Sequence, residues 1–432
     1  MRYQKSKKLI TKDFTKFNVF DKFIKYNIME QKDVTLIREG SAKFYIHNID
    51  INSIPSKGMN VFYNRRMEIN RDITNLCINA YKELYHQKDL VIIDSMAASG
   101  ISAIRILSEC VKVKKIYIND INPEAVRLIN MNLRINNLDK EANRYCLSNK
   151  DANLLFSEIA SKSSEKKKKP NIISIDPFGA PNRYIDSAFK AIQTDNGLMC
   201  ITATDTAVLF GVRPKACLRK YLSKPLHNEY CKELGGRILI SFISQMANIN
   251  NIGIIPLLTF YSGHFIRLFC LTFKNKKMIS KLFDNIGYLI HCSNCGYRST
   301  FKTILLIPKK CPVCASREDL DYAGPIWIGK LHDNYFLKNI IYLNSDIVSP
   351  NKKKIDKLLN YALEENKMPI SYYNIHNLCH NLKLKSVPKI NFIINEIRNL
   401  GYRASRTHFD FLSVKTDIDL TTIKNILLKL QN

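Results

Sequence analysis

Between residues 90 and 204 the chain alternates short apolar runs with longer segments of helical spacing. "LVIID" (90–94), "KIYIND" (115–120), "YCLSN" (145–149), "NIISID" (171–176) and "GLMCITAT" (197–204) have the length and β-branched content of buried strands. Between them, "SGISAIRILSEC" (99–110) carries its apolar residues at helical spacing, and Asn122 with Pro123 offers an N-cap and a first-turn proline. One helix starts near Asp151 and another runs through "YIDSAFKAI" (184–192). Strands alternating with helices predict a parallel sheet covered on both faces. "YCKELGGRILISFISQM" (230–246) predicts a further helix with an awkward glycine pair, and apolar strands at 252–262 and 265–273 complete the sheet.

The flanks read differently. Residues 1–88 are a mixed, basic lead-in containing "VFYNRRMEINRD" (61–72), and "SKSSEKKKKPN" (161–171) is a charged, serine-rich surface loop ending in proline. A cysteine segment at 291–316 marks a boundary. Helical patterns around 352–366 and 388–400, with "FDFLSVKT" (409–416), predict a small α+β domain of winged-helix type. The chain thus divides into 1–275, an α/β domain, and 276–432, a smaller α+β domain that contains the cysteine knuckles.

Composition adds a partner. The 66 Lys and Arg against 38 Asp and Glu give a net charge of +28 over 432 residues, whose self-repulsion an anionic partner such as nucleic acid would relieve. A generally lysine-rich composition, visible also in the abundant Asn and Ile, is the other reading. No segment approaches the ~20 apolar residues that cross a bilayer, and the basic N-terminus lacks a secretory apolar core. The expectation is a soluble protein without a membrane association or an obligate protein partner. It would be cytoplasmic, or nuclear or mitochondrial in a eukaryotic source, with reduced thiols.

Open parallel sheets bind ligands at the carboxyl ends of their strands, and acids stand there. Asp94 closes the first strand before "SMAASG" (95–100), small residues ending in Gly100 that let backbone approach a ligand. Asp120 closes the second, placed for a ribose diol. Asp151 with Ala152 follows the third, placed for an adenine amino group. Singly, each reads equally well as a helix cap; together they outline a nucleoside site. The loop lacks both the three-glycine dinucleotide fingerprint and a P-loop ending, which favours a nucleoside without phosphates, commonly S-adenosylmethionine.

Asp176 ends the fourth strand in "IDPFGAP" (175–181). The exocyclic amine of a nucleobase is a poor nucleophile because its lone pair is delocalised into the ring. A carboxylate from Asp176 and the carbonyl of Pro177 would accept the amine hydrogens while Phe178 packs on the base, with Gly179 and Pro181 holding the turn. A plain turn uses the same residues. Finally, Cys292 and Cys295 are separated by fifteen residues from Cys311 and Cys314, which lie three apart like the first pair. This is zinc-ribbon spacing, closed by four sulfurs and therefore structural; a disulfide pair is the alternative, weakened by a reducing compartment. His291 reads as a strand-end residue.

The motifs "VFYNRRMEINRD", "DSMAASGISAIR" (94–105), "NDINPEAVRLINMN" (119–132), "IDPFGAP", "TATDTAVLFGVRPKACLRKY" (202–221), "GPIWIGKLHD" (324–333) and "RASRTHFDFLSVKT" (403–416) resemble, in this order, those of the tRNA guanine N2-dimethyltransferase family. The resemblance covers nearly the whole chain. It implies a Rossmann-like class I methyltransferase domain and a C-terminal domain that helps hold tRNA, with two methyl groups passing from S-adenosylmethionine to N2 of guanine 26. It also implies Arg71, Asp120 and the Asp151–Ala152 pair as cofactor contacts, Asp176 at the target amine, and Arg406, His408 and Lys415 as RNA contacts. Zinc cysteines occur in part of the family. The chain departs from the pattern at Arg65, where proline is usual, at Ser102, where arginine is usual, and at Ala180, where serine is usual; Arg105, one helical turn from Ser102, is the candidate replacement. An amine methyltransferase acting on another nucleic-acid base, or a tRNA-binding chaperone without turnover, are the alternative readings.

Overall fold

Isoleucine-rich runs that would expose apolar surface on both faces in isolation form the middle of a seven-stranded sheet. The computed structural model describes residues 34–48, 58–163, 169–346 and 349–430; the centre of the lysine-rich loop and residues 1–33 and 49–57 of the basic lead-in lie outside them. A hairpin of β1 (Val34–Glu39) and β2 (Ala42–His47) precedes the sheet. The sheet comprises β3 (Leu90–Asp94), β4 (Val113–Asn119), β5 (Tyr145–Ser148), β6 (Ile172–Ile175), β7 (Leu198–Ala203), β8 (Gly253–Ser262) and β9 (Phe265–Phe273). Its order is β5-β4-β3-β6-β7-β9-β8, parallel from β5 to β7 and antiparallel where β9 joins β7 and β8. Strand order reverses between β3 and β6, where the loops leave in opposite directions and open a crevice.

Helices α1 (Glu68–Leu84), α2 (Ile101–Glu109), α3 (Pro123–Ile135), α4 (Ala152–Ser163), α5 (Ile185–Ala191) and α6 (Cys231–Ile249) cover the faces. They bury every residue of β6 and β7. The Asn122 side chain caps α3 through the Glu124 N–H, as the Asn-Pro pair predicts. The first glycine of the pair in α6 has a steric cause. A Cβ on Gly235 would stand 2.9 Å from the Phe210 ring, so only glycine lets the helix lie this close.

Downstream, β10 (Ile286–Cys292), β11 (Arg298–Phe301) and β12 (Leu320–Trp327) form an antiparallel sheet in the order β11-β10-β12 that carries the cysteines. Two helices follow, α7 (Asn334–Asn344) and α8 (Lys352–Glu365). Phe336 and Ile340 of α7 and Ile355 and Leu359 of α8 share one apolar cluster with Ile73 and Leu76 of α1 and Phe260 of β8. A separate core holds the last segment, β13 (Tyr373–Asn374), α9 (Ile375–Asn381), α10 (Ile390–Asn399), β14 (Ala404–Arg406), β15 (Ser413–Thr416) and α11 (Leu420–Lys429). Preceded by α8, the segment runs strand, two helices and a hairpin, with sheet order β13-β15-β14, a winged-helix topology. Among the described residues no helix is long and apolar enough to cross a membrane.

Buried charge fastens the periphery to the sheet domain. The Arg105 guanidinium of α2 reaches Glu39 of β1 at 2.9 Å, Asp72 of α1 at 2.6 Å and Glu109 at 2.9 Å. The second Asp72 oxygen accepts from Ser349 Oγ at 2.8 Å and Asn351 Nδ2 at 3.0 Å. The hairpin, two helices and the start of α8 therefore share one network.

Candidate active site

The parallel strands deliver their acids to one rim. Asp94 is only 4 % exposed, and its Oδ2 has no hydrogen-bond partner. Burial, with Asp176 and Asp120 close by, pushes its carboxyl up to about 7, against the pull of Arg267 and the Met96 N–H. Asp120 accepts the N–H of Ala98 at 2.8 Å and of Asn122 at 2.9 Å. Its carboxyl is raised by burial in spite of these bonds. Between the two acids the loop from Ser95 turns through Ala98 at φ 48° and Gly100 at φ 77°. A Cβ on Gly100 would meet Ile129 Cγ1 at 2.9 Å, so space as well as backbone angle demands glycine. Asp151 is exposed and caps α4, its Oδ1 accepting the Asn153 N–H at 2.8 Å; Ala152 is buried beneath it.

The "IDPFGAP" turn stands on the other side of the crevice. Asp176 is half-buried, Pro177 is buried and Phe178 is 53 % exposed. Gly179 lies at φ 103° and donates its N–H to Thr204 Oγ1 at 2.6 Å, while the Thr204 N–H returns to Gly179 O at 3.0 Å. The turn after β6 is thereby pinned to the loop after β7. The Phe178 ring meets Phe62 edge to face at 5.9 Å between centroids. Beside them the Asn64 side chain lies 3.0 Å from His264, in the turn between β8 and β9. Phe62, Asn64, Thr204 and His264 carried no assigned role in the sequence reading. Phe62, Asn64 and Thr204 lie inside quoted motifs, which were the available signal; His264 is a lone histidine in a hairpin turn and had none.

Other expected residues are placed less simply. Arg71 pairs with both oxygens of Glu39 and lies over the Tyr63 ring at 5.7 Å. Arg105 does not stand in for the arginine missing at Ser102, because its guanidinium is buried among Glu39, Glu109 and Asp72. His408 and Lys415 are likewise not presented to RNA. Lys415 Nζ lies 2.8 Å from Glu233 Oε1 and 3.7 Å from Glu365 Oε2, and His408 Nδ1 bonds Glu365, all four side chains being buried. Burial alone would push Glu233 up, yet Lys415 and Arg237 hold it below the usual carboxylate range. Glu365 is held well below that range too, His408 and Lys415 outweighing its burial. Lys415 of this motif thus serves the interior acids Glu233 and Glu365. Of the three, Arg406 alone is partly accessible, bonded to Asn391 and lying 5.8 Å over Tyr361.

Two groups have metal-ligand composition. Cys292, Cys295, Cys311 and Cys314 bring all four Sγ atoms within 4.8 Å of one another, with 3.6 Å between Cys292 and Cys314 and 3.5 Å between Cys295 and Cys311. A disulfide needs about 2.05 Å; thiolates on a tetrahedral ion with ~2.3 Å bonds stand about 3.8 Å apart. The set fits a four-sulfur zinc site. His332, Glu365 and His408 are also grouped. There the Thr259 N–H donates to His332 Nδ1 at 3.3 Å, which leaves the ring proton on Nε2, directed at Glu365 3.6 Å away. Burial pushes His332 down to about 4, so the ring is neutral, and Lys415 already supplies the cation. That group is a charge-paired core.

A parallel sheet with its reversal at β3 and β6, a glycine-poor loop and acids at successive strand ends define a Rossmann-like class I methyltransferase fold. The chain belongs to the N2,N2-dimethylguanosine tRNA methyltransferase family, whose model matches residues 40–428. It is 36% identical over 401 residues to a tRNA (guanine(26)-N(2))-dimethyltransferase of Methanosphaera stadtmanae, covering 92% of this chain and 98% of that one. A tRNA (guanine(26)-N(2)/guanine(27)-N(2))-dimethyltransferase of Aquifex aeolicus is 32% identical over 376 residues, covering 87% and 91%. Among solved structures, Trm1 from Pyrococcus horikoshii in complex with S-adenosyl-L-methionine superposes with a TM-score of 0.74 at 28% identity, covering 91% of this chain and 99% of that one. The resemblance read from the motifs holds.

Replacing Lys415 with methionine leaves Glu233 and Glu365 buried with less compensation. The expected loss is about 3–5 kcal/mol of stability, read as a lowered urea midpoint. Unchanged stability with weakened tRNA binding would instead restore Lys415 as an RNA contact.

Proposed function

We infer that this chain is an S-adenosylmethionine-dependent tRNA methyltransferase that places two methyl groups on N2 of guanine 26. The observation that carries the reading is the Asp176–Pro177–Phe178 turn, pinned through Gly179 to Thr204 beside the buried acids of the crevice. Asp120 would hold the ribose of the cofactor, Asp151 and the Ala152 backbone its adenine, and the Ser95–Gly100 loop its amino-acid part, with Arg71 at the edge of the same pocket. Asp94, with an unpartnered oxygen in a cluster of acids, suits a cationic ligand. Bound there, S-adenosylmethionine supplies an electrophilic methyl on a sulfonium.

The protein's own share is positioning and proton removal. A guanine taken out of the tRNA stack at a cost of a few kcal/mol would pack on Phe178, with Phe62 closing the second side of the slot. The Asp176 carboxylate and the Pro177 carbonyl accept the two amine hydrogens, which localises the nitrogen lone pair. As the methyl moves, the proton on N2 passes to the Asp176 carboxylate. After the first transfer Asp176 passes its proton to solvent, one N–H remains on N2, and rotation about the C2–N2 bond brings it to the carboxylate for a second transfer from a fresh cofactor molecule. The winged-helix segment and the partly accessible Arg406, with the aromatic rings around it, would hold the tRNA backbone. One zinc ion on Cys292, Cys295, Cys311 and Cys314 would brace β10 against the loop before β12. An enzyme of tRNA maturation is at home in the cytoplasm.

Unmodified tRNA incubated with the protein and S-adenosylmethionine, then digested for nucleoside mass spectrometry, should yield N2,N2-dimethylguanosine. Asp176→Asn should slow its formation by roughly 10²–10⁴-fold. Binding of tRNA with no methylguanosine formed would put the chaperone reading in its place. Because the Asp94 carboxyl sits at about 7 in the free protein, it is protonated below that pH and charged above it, and a sulfonium favours the charged form. Cofactor affinity measured by calorimetry should therefore strengthen from pH 6 to pH 8, and Asp94→Asn should flatten that part of the profile. Elemental analysis should find one zinc per chain; Cys311→Ser should remove it and lower Tm while cofactor affinity is kept.

A further inference from the structure

The proposed chemistry leaves one edge of the target base without a partner. Guanine presents O6, an acceptor, alongside N1–H and the N2 amine. Asp176 and Pro177 are acceptors and serve the amine; a pocket that selects guanine also needs a donor for O6. His264 is a half-buried ring at the same rim. It stands in the turn that follows β8, and β9 pairs with β7 through Ile266 and Ala203, so the turn overhangs the carboxyl end of β7, one strand over from Asp176.

The hydrogen bonds around His264 fix which nitrogen carries its proton. Asn64 Oδ1 accepts the Arg66 N–H at 2.9 Å, which orients the buried amide and turns its Nδ2 outward as a donor. That Nδ2 lies 3.0 Å from His264 Nε2, so Nε2 is the acceptor and the ring proton sits on Nδ1. Among the described residues no group bonds to Nδ1. Burial and Arg66 lower the ring's proton affinity, against the opposing pull of Asp176, so the ring remains neutral at pH 7. Arg66 and Asp176 are thus both close enough to act on the ring.

We propose that the Nδ1–H of His264 donates to O6 of the target guanine and makes His264 the residue that specifies the base. The assignment rests on the methyltransferase reading above. A neutral donor suits the reaction better than a cation. The N2 lone pair is delocalised toward O6, and a positive charge at O6 would deepen that delocalisation and weaken the nucleophile. Adenine offers an amine at the corresponding position, so it would set donor against donor and be rejected. Asn64 acts through the ring as a positioning residue: without its amide, the tautomer that points a proton into the slot is no longer selected.

The test removes each side of the bond in turn. tRNA carrying 2-aminopurine at the target position keeps the exocyclic amine and lacks O6. With the unaltered protein, kcat/KM on this tRNA should fall at least ten-fold relative to guanine. In His264→Ala, guanine itself should be slowed by roughly ten-fold, and the penalty for 2-aminopurine should shrink by the same factor. His264→Gln, which keeps an N–H donor, should regain part of the discrimination. Calorimetric cofactor affinity equal to that of the unaltered protein shows each variant folded. An undiminished 2-aminopurine penalty in His264→Ala overturns the assignment of His264 alone. Absence of turnover on guanine by the unaltered protein overturns the methyltransferase reading and this proposal with it.

Discussion

A buried guanidinium organises the rim. Arg267 lies on β9, is 2 % exposed, and has no ion-pair partner among the described residues; its bonds go to Thr202 Oγ1 at 2.6 Å and to Thr74 Oγ1 and Ser174 Oγ at 3.3 Å. A charge taken this far from water is tolerated only when dipoles and opposite charge surround it. Three hydroxyls, from α1, β6 and β7, are drawn onto β9 for that purpose. The same three elements carry Arg71, lead to Asp176, and lead to Thr204. Asp94 adds to the compensation, since Arg267 is among the groups that pull its carboxyl back down. Arg267, its three hydroxyls and Asp94 form one electrostatic unit that ties α1, β6, β7 and β9 together at the crevice.

Buried charge does a different job at the far end of the molecule. Glu233 and Arg237 belong to α6, while Glu365, His408 and Lys415 belong to α8 and the winged-helix segment. Their pairing joins the last part of the chain to the helix that covers the sheet. Removing one partner would strand another in a medium that cannot solvate it, so the network specifies one docking of the two parts. Surface side chains around β14 combine cations with rings. Lys357 lies 4.4 Å from the Phe411 ring centre and Arg406 lies over Tyr361, a combination suited to phosphates and stacked bases.

The sequence, taken alone, determined whatever depends on near neighbours in the chain. Strands β3 to β7 follow from short β-branched runs, the cap on α3 from Asn122 and Pro123, the turn at Gly179 from the "IDPFGAP" run, and the cysteine cluster from two knuckles at ribbon spacing. Each is a matter of periodicity, backbone freedom or ligand spacing over a few residues. The positions of Asp94, Asp120, Asp151 and Asp176 at strand ends were legible for the same reason, because a parallel sheet puts all such ends on one side.

Solvation was decided only by the tertiary structure. Nothing local distinguishes Asp94, whose Oδ2 stays unpartnered, from Asp151, which caps a helix. Lys415 looks like an RNA contact until Glu233, far back in the chain, is placed 2.8 Å from it. Asn64 and His264 are 200 residues apart, yet their bond sets the tautomer of the ring. Periodicity is a property of a segment and can be read from it. Burial, proton affinity and the choice of partner belong to whatever surrounds a side chain, and those surroundings arrive from distant parts of the chain only when it folds.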